Sequence, residues 1–349
     1  MKFTGTRSIM MAMAVVVGVV STATYVSAAR DRLHWLDGYV WAHSPTSSSY
    51  TPSTFYSYNR IGGSIQITKP AATTGQYNVK LATLSTFLSK STVHVTGYTG
   101  DNNYCKPATP TLAGSVLSVR CFDATTGLPA NALYSVAVTR NYTDNAFAYA
   151  NQPTNPSYAP PANTSWNPQG AIQVSRSGVG FYLVKFTGLG TLANANGGHF
   201  QAVAVGTTAS YCKVGGWGGS PDMSVSVLCF SGTGASADTA FNIFFVLPTT
   251  DVAYAWADQP TSASYTPSTF YSWNPTGGSI SITRNGTGNY TAFWSGLVLL
   301  DGGDVQVTSY GGGNAQCKVV GWGSNSANVR CFAPGGAPVD TYYTVLLGS

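Results

Sequence analysis

Apolar and polar residues alternate in short runs along this chain, and the runs return in the same order three times. Tyr77, Val79 and Leu81 are separated by Asn78 and Lys80, the two-residue period of a half-buried strand. Tyr182, Val184 and Phe186 repeat the pattern, as do Tyr290, Ala292 and Trp294, and Val93-His94-Val95 alternates likewise. LSVRCF at Leu117 to Phe122 is echoed by SVLCF ending at Phe230 and NVRCF ending at Phe332. Each copy closes on a strand-like run: YSVAVTR, FNIFFVLP or YYTVLLGS. Gly pairs and Asn-Gly steps fall between the runs, where turns need positive φ.

The clearest repeat spans Trp256 to Arg284, with earlier copies from Trp41 to Lys69 and from Tyr149 to Arg176. Trp41, Tyr149 and Trp256 are spaced by 108 and then 107 residues, about the length of a small domain. The pattern predicts three tandem antiparallel β-sandwich modules of immunoglobulin-like size, with about seven strands each, at 38–140, 145–248 and 252–349. A short leader, 29–37, precedes them. The alternative is a six-bladed β-propeller of three double-blade repeats, with eight strands per repeat if the segment from Tyr50 to Asn59 pairs. Inner propeller strands should be uniformly apolar, and QYNVKLATL is not. Sandwiches in a row also imply that 252–349 folds alone, whereas propeller blades would not.

Composition agrees with an all-β chain. Charged residues make up 8% of the sequence, aromatics reach 13%, and every acidic residue is Asp; Thr, Tyr, Val and Gly suit strands and turns. Residues 1–28 read as a secretory signal: Lys2 and Arg7, an apolar run from Ile9 to Val20, and the small-residue site Val26-Ser27-Ala28. Cleavage would leave a formal charge of +3 from the +5 of the whole chain. No basic stripe remains for nucleic acid or a membrane surface, so neither is expected as a partner.

Six cysteines recur in place, and a secreted chain predicts three bridges within the repeats: Cys105–Cys121, Cys212–Cys229 and Cys317–Cys331. Each would staple a hairpin and contribute about 3 kcal/mol by loop entropy. The spacing does not suit zinc, and no metal or cofactor is expected. His34, His43, His94 and His199 form no repeated pair; His94 reads as a solvated strand position beside Gln201 and Gln306 in the other copies. Asp301 and Asp304 offer calcium two oxygens where it wants six to eight, so a polar hairpin turn is the better account. No nucleophile, zinc or phosphate-loop motif appears.

Aromatic residues remain. Tyr58, Trp166 and Trp273 each precede an Asn at one repeat position, and Trp217 and Trp322 sit in Gly-flanked turns. Flat rings of this kind stack on sugars when exposed, which makes these five the candidate ligand-binding residues; for Tyr58, Trp166 and Trp273 packing in each module's core or edge is the favoured reading, and Trp217 and Trp322 suit either role. The expected role is a secreted, non-enzymatic binding or structural protein engaging polysaccharide, cell-surface glycan or the cell envelope by multivalency. The alternative is an extracellular hydrolase or inhibitor acting on polysaccharide.

Overall fold

The computed structural model describes residues 36–193 and 197–348. The secretory segment read at 1–28, and residues 29–35 of the leader, lie outside the described residues.

The protein is all-β, and each repeat builds two sheets. In the second repeat five strands pair in the order Ser157–Tyr158, Ile172–Gly178, Phe181–Phe186, Met223–Ser231 and Ser210–Gly218. Three more pair in the order Asn145–Ala150, Phe241–Val246 and His199–Ala204. The first repeat forms its five from Ser49–Tyr50, Ile65–Thr68, Gln76–Leu81, Val116–Asp123 and Asn103–Pro107. Its three are Gly38–Ala42, Leu133–Arg140 and Ser91–Tyr98, with Ser57–Asn59 added at the edge. The third repeat uses Val252–Ala257, Tyr343–Gly348 and Asp304–Ser309 as its three. Eight strands per repeat, nine in the first, replace the expected seven. The extra strand is Ser49–Tyr50 or its counterpart, two residues long and too short to show a period.

Alternation decides which side chains enter each repeat's core. Tyr77, Val79 and Leu81 are buried while Lys80 is exposed. In the second repeat Val174, Val184, Val225 and Val227 of the five-stranded sheet pack with Ala148, Phe200, Ile243 and Phe245 of the three-stranded one. The disulfides close where expected, joining Cys105 to Cys121, Cys212 to Cys229 and Cys317 to Cys331. Each links residues directly opposite on neighbouring strands.

The three-stranded sheets are buried on both faces. All six residues of Phe241–Val246 and of Tyr343–Gly348 are buried. Phe241, Ile243 and Phe245 face their own repeat's core. Phe244 and Val246 instead join Tyr39, Phe147, Val252, Tyr254 and Leu346 in a cluster drawn from all three repeats. Polar side chains share these inner faces and bond across repeats. Thr308 Oγ1 donates to Gln201 Oε1 at 2.5 Å, and Asn242 Nδ2 to the carbonyls of Val93 at 3.0 Å and Pro110 at 2.9 Å. Ser135 Oγ donates to Asp304 Oδ1 across repeats, and within the third repeat Gln306 Nε2 donates to Asp304 Oδ2 at 2.8 Å. A buried polar group left unpaired costs more than a net hydrogen bond contributes, so such bonds fix register more than they add stability.

Two expectations change here. His94 is buried against Phe244, not solvated. Asp304 is not a turn residue; it opens a buried strand, and burial pushes its carboxyl up to about 7. Both lie on a face that no single repeat could cover.

Contacts between the repeats run from first to second, second to third, and third back to first. Gly206 N donates to Pro107 O at 3.0 Å, and Gly311 N to Val214 O at 2.9 Å. Val319 pairs with Tyr98 in a parallel bridge. A lysine follows the first cysteine of every pair and reaches the next repeat. Lys106 Nζ donates to Ser210 Oγ at 2.8 Å, Lys213 Nζ to Gly312 O at 3.3 Å, and Lys318 Nζ to Asp101 Oδ1 at 2.5 Å. All three are buried, and desolvation lowers Lys106 to about 7 and Lys213 to about 8.

Candidate binding seam

The five candidate aromatics fall into two groups. Tyr58, Trp166 and Trp273 are half-buried and flank the cluster shared by the three repeats. Trp166 Nε1 donates to Tyr142 O and Trp273 Nε1 to Thr249 O, both at 2.7 Å, while Tyr58 stacks on Tyr39 with centroids 5.7 Å apart. Trp217 and Trp322 are half-buried too, each within a different seam between repeats.

Trp322, from the third repeat, meets Trp41, Tyr56 and Tyr98 of the first, with centroids at 6.3, 5.6 and 5.4 Å. Trp217, from the second, meets Tyr271 and Tyr310 of the third at 5.3 and 5.4 Å, and those two flank Trp256. These near-perpendicular contacts set ring edges against ring faces, the arrangement the ring quadrupole favours. Each indole also donates to a glycine carbonyl of its own repeat, Trp217 to Gly197 at 3.1 Å and Trp322 to Gly302 at 2.8 Å. Gly197 and Gly302 adopt φ of +58° and +73°. A Cβ on Gly197 would lie 2.7 Å from the rings of Phe270 and Tyr271; on Gly302 it would lie 2.5 Å from Tyr56. Both seams therefore require glycine.

Truncating such a ring removes contacts on several sides. Trp322→Ala is expected to destabilise the protein by about 3 kcal/mol. Chemical denaturation of the full chain measures this, and a loss below about 1 kcal/mol would mean the ring does not hold its seam.

The seam between the first and second repeats differs at every one of these positions. Counting from the first cysteine of each pair, Pro110 stands where the others have Trp217 and Trp322. Counting from the Asn after each candidate aromatic, Asn163 and Thr164 stand where the others have Phe-Tyr. Val205 replaces the tyrosine of Tyr98 and Tyr310, and Lys90 takes the place of Gly197 and Gly302. Four bulky rings and a glycine have been exchanged together for small residues and a lysine.

Two cavities lie beside this seam, and of the exchanged positions Lys90 and Asn163 line them. One, of about 280 Å³, is lined by Lys90 together with Ala162, Ser165, Trp166, Asn167 and Ile172 among others. The second, of about 110 Å³, is lined by Ser85, Leu88, Ser89, Lys90, Thr111 and Asn163 among others. Lys90 is common to both, and its Nζ lies 5.4 Å from the centroid of the Trp166 ring, within cation–π range. The cavities combine one aromatic ring, amide and hydroxyl groups, and one ammonium. Neither is lined by a carboxylate, a histidine or a cysteine.

Sequence reasoning picked out Trp166 and missed Lys90. The signal was present, because Lys90 aligns with Gly197 and Gly302 as Pro110 does with the two tryptophans. What was missing was that these positions touch across repeats. No family model matches the chain, and no curated protein or solved structure matches it either.

Proposed function

We propose that this is a secreted, non-enzymatic glycan-binding protein of three β-sandwich modules, with its ligand groove at the seam between the first two. The observation that carries this reading is that one seam of three lacks four of the rings that fill the others, keeping Tyr149 where they have tryptophan, and has cavities lined by Lys90, Asn163 and Trp166. Sugar faces present apolar CH groups to a ring and hydroxyls to amides; Trp166 offers the ring and the exposed Asn163 an amide. Glycosidic cleavage ordinarily uses two facing carboxylates, and the groove's lining suits holding a chain better than cutting it. The division into five and three strands supports sandwiches over four-stranded blades, and three disulfides suit an oxidising, extracellular setting. The multivalency expected from three copies becomes one groove per chain, because rings fill the other two seams.

Ala162 is exposed at the groove's edge, so Ala162→Trp should block it without touching the core. Full-length protein is expected to be retained on insoluble polysaccharides, and the variant to elute freely with an unchanged Tm. Equal retention of the two proteins would rule out this groove. A wild type that passes every polysaccharide tested would rule out glycan binding.

A further inference from the structure

Resting on that reading, we propose that the groove takes an acidic saccharide, with the Lys90 ammonium pairing with the carboxylate of a uronic-acid unit beside Trp166. A glycine at this position gives the other two seams their tight packing, and lysine here both opens the seam and brings a cation to it. Lys90 has no ion-pair partner among the described residues.

Ser91 pairs with Arg140 across the sheet, and Asn141 N donates to Lys90 O. Arg140 Cζ lies 4.2 Å from the centroid of the Phe87 ring, and Arg60 Cζ lies 5.6 Å from the same centroid. Arg60 and Arg140 share a single buried carboxylate, Asp37, at 3.8 and 3.7 Å. Both arginines are thus paired with Asp37 and line neither cavity, which leaves Lys90 as the cation of the groove. No Asp lines either cavity. A neutral glycan would leave the Lys90 ammonium without a counter-charge, whereas a carboxylate on a pyranose supplies one within reach of the ring.

The test uses full-length protein with two probes of equal length, hexagalacturonate and cellohexaose, titrated calorimetrically at low and at 0.5 M salt, roughly a threefold shorter Debye length. Hexagalacturonate is expected to bind at least tenfold more tightly, and the advantage should shrink in high salt. Lys90→Gln should weaken hexagalacturonate at least tenfold and change any cellohexaose affinity far less, so that the preference for the acidic probe collapses. If both probes bind equally and Lys90→Gln changes neither, the acidic ligand is excluded and the groove as a neutral glycan site survives. If neither binds, both readings fall.

Discussion

A fragment of residues 252–349 is expected not to fold as a monomer. It contains a complete pair of sheets and its own disulfide, which would suffice if the repeats were beads in a row. The inner face of its three-stranded sheet nevertheless depends on the other repeats. Removing them would expose Val252, Tyr254 and Leu346, each now under 2% accessible. Asp304 would lose Ser135, Trp322 would lose its three ring partners, and Lys318 would lose Asp101. At about 2 kcal/mol per uncovered apolar side chain, with the seam contacts added, the loss is comparable to the whole stability of an ordinary domain. Circular dichroism and amide dispersion of the fragment give the answer. A sharp, monomeric melting transition near that of the full chain would show that the repeats are independent.

Acid is expected to destabilise the fold well above the pH at which its paired carboxylates titrate. Burial holds His94 and His199 neutral, with pKa lowered to about 3 from an ordinary 6.5. The unfolded chain therefore takes up both protons first. The stability is fully present above about pH 6.5 and is lost as pH falls toward 3, by about 4 kcal/mol for each ring. Asp304 acts in the opposite sense: its folded pKa of about 7 exceeds the unfolded 3.8, so its cost is relieved between pH 7 and 3.8. His94→Gln separates these contributions, because Gln201 and Gln306 fill the equivalent position in the other repeats. Wild type and variant should differ little above pH 7, and the variant should be more stable by about 3 kcal/mol at pH 4. Urea titrations across this range are the measurement; parallel stability curves would show that His94 is not carried neutral into the folded state.

Much of the fold was legible because three copies vote on each element. Tyr77-Asn78-Val79-Lys80-Leu81 shows its buried face in one reading, and the cysteines pair by position alone. The run FNIFFVLP was harder, since Phe241, Ile243 and Phe245 point one way while Phe244 and Val246 point the other. Both sets are apolar, as in a strand covered on both sides, but the run reads from sequence only as a closing strand, with nothing to say what covers it. His94 suffered from the same gap, since a polar residue on an alternating strand looks solvated until a second sheet is known to cover it. The tryptophans were recognised as special, and their partners were not, because Trp41 and Trp322 lie at opposite ends of the chain. The lysine after each first cysteine was equally visible and meant little without the neighbouring repeat that it reaches.

The three seams are built at corresponding positions, but they belong to one polypeptide. Were this ring a homotrimer of identical chains, any substitution would appear three times. A lysine in place of the seam glycine would unseat all three aromatic fillings at once, and the assembly would have no intact interface to survive on. Fusion removes that constraint. Lys90 enters one seam while Gly197 and Gly302 keep the other two closed, so two interfaces supply cohesion and the third is free to specialise. Covalent linkage also holds that seam's partners at a fixed high local concentration, so dilution does not loosen it.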